Sequence, residues 1–372
     1  MKHLPQPTVA VLFGTRPEII KLAPVAAELE TSAVLIHSGQ HYDDRMSTDF
    51  FVELGLPAPR LRLEGVGGRD RATQIGTMVS SLAASFAELR PDALVVQGDT
   101  NTVVAGALAA NIVGVPIVHV EAGLRSRDRG MPEEINRMLT GVLADVHCAP
   151  TVGARDNLTR EGVDPATIHV TGNSVVESCT QTLARIDGAP HPAAIGRGPY
   201  ILATIHRPEN TDDEIALARV LSALAHAELP VVFVAHPRTV AAAERFGLDF
   251  YLSRLTTIPA VGYEAFLRLA RDAALLVSDS GGVQEEATVL RKRLLLVRRN
   301  TERPEAVEAG FVQLVTPEQS LACAIGAALA DDGWARRVRD TPSPFGDGTA
   351  GRRIARLTLD LTVAGRRGDA AR

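Results

Sequence analysis

The sequence predicts an α/β protein built from two Rossmann-like domains, each a doubly wound parallel sheet. Short apolar runs alternate with longer amphipathic segments, as expected for strands buried on both faces and joined by helices. The runs fall into two sets of six, and a segment rich in Gly and Pro, 186–199, separates them. This segment is typical of a linker, so we expect domains at 1–185 and 200–348 with a ligand cleft between them.

In the first half, each predicted strand is a run of about five largely apolar residues, too short for a buried helix. These strands are 8–13, 33–37, 93–97, 116–120, 145–149 and 168–172. Helical spacing of apolar residues between them predicts helices at 18–30, 72–89, 102–113 and 134–143.

The second half repeats this alternation. Its predicted strands are 200–205, 230–235, 255–260, 274–279, 293–297 and 311–315. Helices are predicted at 213–226 and from about residue 281. A Pro- and Gly-containing loop after residue 342 precedes a last helix at 349–366, and 367–372 are expected to be disordered.

Composition excludes several classes of function. The net charge of −5 and 15 aromatic residues disfavour a general nucleic-acid binder. No apolar stretch approaches the ~20 residues that span a bilayer. Three distant cysteines, Cys148, Cys179 and Cys323, predict neither a disulfide framework nor a zinc site. We therefore expect a reduced, cytoplasmic protein with no membrane partner.

The first candidate site follows the first predicted strand, where open α/β sheets bind ligands. Gly14 permits a tight turn and Pro17 suits the first helical turn. Arg16 at the helix start and Lys21 about one turn later offer two cations for phosphate oxygens. A solvated loop arginine and a surface lysine explain the spacing equally well.

A second candidate phosphate site lies where the strand 274–279 meets its helix. Gly281 and Gly282 let a ligand approach the backbone at a helix N-terminus, and Ser280 adds a hydroxyl donor. Glu286 lies one to two turns along that helix and suits sugar hydroxyls better than phosphate. A plain serine N-cap followed by a glycine turn is the alternative.

Three acidic segments end or follow neighbouring strands of the first half. They contain Asp99, Glu121 and Glu133. Carboxylates that lie close together move each other's pKa apart, so that one site provides both an acid and a base. Asp99 alone could be an N-cap and Glu133 a partner of the helix dipole, but the three together favour catalysis.

Two loops of the second half also carry candidate ligand contacts. His206 follows the first strand of that half and mirrors the position of Arg16; it could donate to a pyrophosphate or move a proton. Arg303 follows the strand 293–297 and could contact a ligand or pair with a surface carboxylate.

These segments resemble, in order and spacing, the UDP-N-acetylglucosamine 2-epimerase family from about residue 8 to residue 349. The motifs that carry the resemblance are GTRPEIIK (14–21), SGQH (38–41), QGDTNT (97–102), HVEAGLRS (119–126), MPEEINR (131–137), HRPEN (206–210), SDSGGVQEEA (278–287) and TERPEA (301–306). The resemblance implies a GT-B fold, with the active site in the interdomain cleft and the helix 349–366 packed back on the first domain.

The reaction it implies is inversion at C2 of UDP-GlcNAc to give UDP-ManNAc, by elimination of UDP to 2-acetamidoglucal and re-addition. Catalytic positions would be Asp99, Glu121, Glu133 and His206. Substrate-binding positions would be Arg16, Lys21, Phe266, Ser280, Gly281, Gly282, Glu286 and Arg303. The resemblance implies a homodimer. It implies neither a metal nor a redox cofactor.

The motifs leave the substrate, the exact reaction and its regulation open. A second UDP-GlcNAc could act as activator through Gln40, His41, Arg207 and His236. The segment 126–131 is two residues shorter than in many family members and contains Arg127 and Arg129, which could meet the carboxylate of a UDP-diacetamido-uronic acid. The motifs are also compatible with a hydrolysing 2-epimerase that releases ManNAc and UDP, with a GT-B glycosyltransferase and with a non-catalytic nucleotide-sugar sensor.

Overall fold

The computed structural model describes residues 6–40, 48–186 and 198–370. Its contacts divide the chain into two compact units. Unit 1 comprises Met1–Ser178 and Phe345–Arg372, and unit 2 comprises Cys179–Pro344. Most of the predicted linker, 187–197, and the predicted activator contact His41 lie outside the described residues.

Unit 1 contains a parallel sheet in the order β3-β2-β1-β4-β5-β6-β7. Its strands are β1 (Val9–Phe13), β2 (Ala33–His37), β3 (Leu61–Arg62), β4 (Ala93–Gln97), β5 (Ile117–Val120), β6 (Val146–Ala149) and β7 (Ile168–Val170). All six predicted runs form strands, and β1 and β4 are buried throughout. The sheet also contains β3, which the sequence did not predict because two residues carry no periodicity.

Unit 2 contains a second parallel sheet in the order β10-β9-β8-β11-β12-β13. Its strands are β8 (Ile201–Thr204), β9 (Val231–Ala235), β10 (Thr256–Pro259), β11 (Leu275–Ser278), β12 (Leu294–Val297) and β13 (Val312–Val315). Each sheet reverses its strand order once, between β1 and β4 and between β8 and β11. The predicted pair of doubly wound parallel sheets is confirmed, and these switch points are where such sheets bind ligands.

Helices connect the strands in both units, and the predicted helices appear within about two residues of their expected starts. The helices are α1 (Arg16–Leu29), α2 (Thr48–Glu53), α3 (Arg71–Leu89), α4 (Asn101–Val113), α5 (Pro132–Leu143), α6 (Val152–Arg160), α7 (Val175–Ile186), α8 (Pro208–Thr211), α9 (Glu214–Ala225), α10 (Pro237–Arg245), α11 (Asp249–Leu252), α12 (Tyr263–Asp272), α13 (Gly281–Leu290), α14 (Pro304–Glu308), α15 (Leu321–Ala330), α16 (Asp332–Asp340) and α17 (Ala350–Ala370). Among the described residues, no helix is long and apolar enough to cross a membrane.

The last helix belongs to unit 1, where α17 packs against α1. Gly351 permits this approach, because a Cβ at that position would lie 2.8 Å from Cβ of Pro24. Its N–H donates to Oε2 of Glu177 at 2.6 Å. The helix continues to Ala370, and Gly368 costs about 1 kcal/mol but does not by itself end a helix. The expected disorder of 367–372 stays a prediction.

The boundaries between the two units lie at other residues than the Gly- and Pro-rich segment 186–199, where the composition placed the linker. The first boundary, between Ser178 and Cys179, falls inside α7, and the second lies between Pro344 and Phe345. A hydrogen bond of 2.8 Å from Asn173 N to Phe345 O ties the returning chain to unit 1. An active site in the cleft between domains stays a prediction.

Candidate active site

The acidic residues of unit 1 gather at one edge of its sheet. Gln97 ends β4 and Asp99 follows it, and Glu121 comes directly after β5. These strands are parallel neighbours in which Gln97 pairs with Val120, so the residues that follow them lie side by side. The predicted clustering of Asp99 with Glu121 therefore follows from the sheet order.

Glu121 is a buried carboxylate held by three donors. Its Oε2 accepts from Nζ of Lys21 at 2.5 Å and from the side-chain amides of Gln97 and Asn173 at 3.0 Å each. Its backbone adopts a left-handed conformation, with φ of 63°. Lys21, predicted on the pyrophosphate side, is itself buried and lies against this carboxylate.

Arg137 connects two further carboxylates. Its Nη2 pairs with Oδ2 of Asp99, and its Nη1 donates to Oε2 of Glu134 at 2.7 Å. Glu134 also accepts from the backbone N–H of Ser126 and Arg127 at 3.0 and 2.9 Å. Burial raises the pKa of Glu134, but these hydrogen bonds outweigh it and the net shift is downward. Glu134 thus anchors the loop.

Glu133, the neighbour of that anchor, has a different environment. It is the second residue of α5 and its side chain is exposed. Of these two neighbouring glutamates, Glu133 is therefore accessible, and Glu134 holds the loop in place. The catalytic role expected of Glu133 stays a prediction.

The turn after β1 contains a buried acid that the sequence analysis did not select. Glu18 is completely buried in α1 and accepts from Gly14 N at 3.0 Å and from Thr100 Oγ1 at 2.7 Å. Burial raises its pKa from 4.5 to about 7. Glu18 lies within the first motif, but only the fold reveals that it bonds to the residue after Asp99.

Arg16 and Gln40, which border the same turn, contact other parts of unit 1. The guanidinium of Arg16 lies 4.7 Å from the ring centre of Phe50, as in a cation–π contact. Oε1 of Gln40 accepts from both N and Oγ1 of Thr102 at 2.8 Å. Gln40 therefore also holds the first turn of α4.

In unit 2, His206 lies in the turn after β8. Its Nδ1 is 3.2 Å from Oδ1 of Asp279, which follows β11. The ring of His236 lies 5.4 Å from the ring of His206, and Nε of Arg207 donates to the carbonyl oxygen of Asp279 at 3.1 Å. The structure thus brings three of the predicted residues together around an aspartate that the sequence analysis did not select.

The predicted phosphate-binding turn begins α13. Ser280 is the N-cap and makes no side-chain cap hydrogen bond, and a Cβ at Gly282 would meet open space. At Gly281 a Cβ would lie 2.9 Å from Nη1 of Arg303. The glycine therefore lets the guanidinium of Arg303 lie directly beneath the turn.

Arg303 is paired with carboxylates of its own unit. Its Nε donates to Oε1 of Glu285 at 2.6 Å, and its Nη1 pairs with Glu302. Both carboxylates are buried, as is Arg303. Arg303 therefore supports the turn at the start of α13, a partnership the sequence did not reveal.

The remaining predicted contacts lie on α12 and α13. Phe266 is half-buried on α12, and Glu286 is 9% exposed on α13. Burial raises the pKa of Tyr263 well above its usual value, and the charge of Glu286 adds to the shift. Phe266 and Glu286 thus lie on helices that contact each other.

No group of three or more His, Cys, Asp or Glu side chains among the described residues is arranged to hold a metal ion. In unit 1, Glu121 pairs with Lys21, and Asp99 pairs with Arg137.

Comparisons with known proteins give matches that cover most of the chain. The family model described as UDP-N-acetylglucosamine 2-epimerase matches residues 25–359. A UDP-N-acetylglucosamine 2-epimerase of Methanocaldococcus jannaschii is 39% identical, over 94% of this chain and 98% of that protein. A UDP-2,3-diacetamido-2,3-dideoxy-D-glucuronate 2-epimerase of Pseudomonas aeruginosa is 36% identical, over 95% of this chain and 99% of that one.

Solved structures match over nearly the whole chain. The crystal structure of the Methanocaldococcus jannaschii UDP-GlcNAc 2-epimerase in complex with UDP-GlcNAc and UDP has a TM-score of 0.86 and 38% identity, covering 95% of this chain and 99% of that one. The match confirms the predicted GT-B fold. The chain belongs to the UDP-N-acetylglucosamine 2-epimerase family and is an enzyme of the isomerase class.

Proposed function

We propose that the protein is a non-hydrolysing UDP-N-acetylglucosamine 2-epimerase that interconverts UDP-GlcNAc and UDP-ManNAc. The observation that carries the proposal is the set of three carboxylates in unit 1, each in a different environment. Glu121 is paired with an ammonium, Asp99 with a guanidinium, and Glu133 is exposed. A general acid and a general base in one site need carboxyl groups in different environments.

The proposed route breaks and re-forms the bond between C1 and the UDP oxygen. A carboxylate of the set removes the C2 proton, the C1–O bond breaks, and UDP leaves with the electron pair as 2-acetamidoglucal forms. A proton then reaches the other face of C2 while UDP adds back to C1. Because UDP leaves as the proton is removed, no free carbanion forms at C2, and the route needs general acid–base catalysis.

Unit 2 would bind the departing UDP. The N-terminus of α13 offers backbone N–H groups near Ser280 and Gly282 for phosphate oxygens, with Arg16 and His206 as further contacts. Phe266 and Glu286 suit the uracil and the ribose hydroxyls. Lys21 takes another part in this proposal, because its ammonium pairs with the Glu121 carboxylate.

The deciding experiment is proton NMR of UDP-GlcNAc with the enzyme in D2O. UDP-ManNAc carrying deuterium at C2 is the expected product. Free ManNAc with UDP would establish a hydrolysing enzyme instead, and no reaction would contradict the proposal for this substrate.

Asp99→Asn tests the carboxylates themselves. We expect turnover to fall about 10²- to 10⁴-fold, the usual contribution of a general acid or base, while UDP affinity measured by calorimetry is unchanged. Asp156→Asn, which removes an exposed carboxylate paired with Arg155, is the matched control. Normal turnover of Asp99→Asn would contradict the assignment and favour a binding protein.

A UDP-diacetamido-uronic acid is a second candidate substrate because the Pseudomonas aeruginosa relative is named for that reaction. Arg127 and Arg129 are exposed on the loop before Glu133, and Nη2 of Arg127 donates to Asn157 at 3.1 Å. The ratio of kcat/KM for the two substrates decides. A preference for the uronic acid that Arg129→Gln abolishes would replace the first proposal.

Two further features stay predictions. Activation by a second UDP-GlcNAc would be contradicted by normal turnover of UDP-ManNAc alone.

A homodimer is supported by exposed apolar side chains on adjacent helices, with Ile112 at 66%, Leu139 at 48% and Val142 at 84% exposed. Sedimentation of Val142→Glu as a monomer, with a dimeric wild type, would support this surface as the interface. A cytoplasmic location likewise stays a prediction.

A further inference from the structure

Asp279 occupies the switch point of the second sheet. It follows β11, whose last residue, Ser278, pairs with Thr204 at the end of β8. The side chain of Asp279 therefore reaches the turn that follows β8, where His206 lies. Asp279 is completely buried, whereas the His206 side chain is 35% exposed.

The carboxylate of Asp279 gathers N–H donors from that turn. The backbone N–H of His206 lies 3.1 and 3.0 Å from its two oxygens, and the N–H of Arg207 lies 2.8 Å from Oδ2. Nδ2 of Asn210, in α8, donates to Oδ2 at 2.9 Å. These bonds fix the backbone on both sides of the His206 Cα and so limit where the ring can point.

The same carboxylate also contacts the ring of His206. Nδ1 lies 3.2 Å from Oδ1 of Asp279. A lone pair on Nδ1 would repel the lone pairs of the carboxylate oxygen at this distance, so Asp279 favours the tautomer with the hydrogen on Nδ1. In a neutral imidazole the other nitrogen, Nε2, is then an acceptor, and it lies on the side of the ring away from Asp279.

We propose that Asp279 is a positioning residue for His206, which it holds as the Nδ1–H tautomer with Nε2 presented to the substrate. The role of His206 toward substrate rests on the proposed function, but the tautomer does not. One buried carboxylate thus sets both the turn and the imidazole, as the aspartate of a serine-protease triad sets its histidine.

The charges around His206 affect the pH range in which its Nε2 is unprotonated. Burial lowers the pKa of His206 below 6.5, Asp279 opposes that shift, and the guanidinium groups of Arg207, Arg238 and Arg298 add to it. The ring of His236 also faces it at 5.4 Å. The imidazole is therefore neutral above pH 7, with Nε2 ready to take a proton.

The test is nitrogen NMR of histidine-labelled protein, in which long-range couplings distinguish the two tautomers. His206→Gln identifies the signal among the ten histidines. At pH 8 we expect a protonated Nδ1 and a bare Nε2 at His206 in the wild type. A wild type with hydrogen on Nε2 overturns the proposal, whether or not any variant folds.

Asp279→Asn supplies the second readout. Loss of the carboxylate should mix the tautomers and lower the pKa of His206 further, and turnover should fall about 10²- to 10⁴-fold. Asp212→Asn removes an exposed carboxylate paired with Arg238 at 2.6 Å and should leave the tautomer unchanged. An Asp279→Asn spectrum identical to the wild type overturns the proposal.

Adding UDP separates this inference from the proposed function. If His206 faces the diphosphate, the bound anion raises its pKa. The Nδ1–H tautomer without any response to UDP would support the positioning role of Asp279 and contradict the proposed diphosphate contact of His206.

Discussion

The turns that follow the first strand of each unit are built differently at corresponding places. In unit 1 the turn after β1 is held by Glu18, which lies in the helix that follows and bonds to Thr100 after β4. In unit 2 the turn after β8 is held by Asp279, which follows β11, and Asn210 in the next helix bonds to it. The acid that holds the turn therefore lies in the following helix in unit 1 and after the neighbouring strand in unit 2.

This difference shows what the sheet order imposes and what it leaves open. At each switch point a buried carboxyl group accepts from N–H groups of the turn after the first strand. The sheet order does not determine which segment carries the carboxyl group. The position of that segment determines which groups the carboxyl contacts. Glu18 bonds to a hydroxyl and one N–H, whereas Asp279 bonds to N–H donors and orients an imidazole.

The largest effect should come from breaking the buried ion pair of unit 1. Lys21→Met leaves Glu121 buried without its ammonium, and such a loss typically costs about 3–5 kcal/mol of unfolding free energy. Urea denaturation measures it. Arg155→Met, which removes the exposed pair with Asp156, should cost less than about 1 kcal/mol, and equal costs would contradict the environments described for the two pairs.

The buried acid of the first turn should give stability a pH dependence. The folded pKa of Glu18, about 7, exceeds the ordinary 4.5, so between these pH values the folded state holds a proton that the unfolded state has released. The unfolding free energy therefore falls as pH rises through this window, by about 3 kcal/mol.

Glu18→Gln should remove that dependence, because a neutral amide keeps an oxygen acceptor and has no proton to lose. The difference in unfolding free energy between variant and wild type, measured at pH 4.5 and 8, checks this. An unchanged difference across that range would mean that folding does not raise the pKa of Glu18.

The return of the chain to unit 1 predicts a smaller difference between two glycines. Gly351→Ala would place a methyl group 2.8 Å from Pro24, and overpacking of this kind typically costs about 1–3 kcal/mol. Gly326→Ala in α15 of unit 2 meets nothing within 4 Å, and should stabilise by up to about 1 kcal/mol. Thermal unfolding of the two variants measures the contrast, and shifts of the same sign would contradict the α1–α17 packing.

The elements of the fold were predictable because their signals are local. Apolar runs such as 93–97 report strands buried on both faces, and the predicted strands of both units were confirmed. The placement of Asp99 and Glu121 at neighbouring strand ends follows from the sheet order, and their catalytic roles stay predictions. The sequence analysis did not select Glu18 or Asp279, because the neighbouring residues in the chain do not indicate that either side chain is buried.

The amino-acid sequence was sufficient for the fold class, the family and the strand ends that carry polar residues. The partners of those polar groups became known only from the folded chain. Lys21 meets Glu121, 100 residues later, and His206 meets Asp279, 73 residues later. Such pairs form because strand order in each sheet, and not distance along the chain, brings these side chains to the same edge.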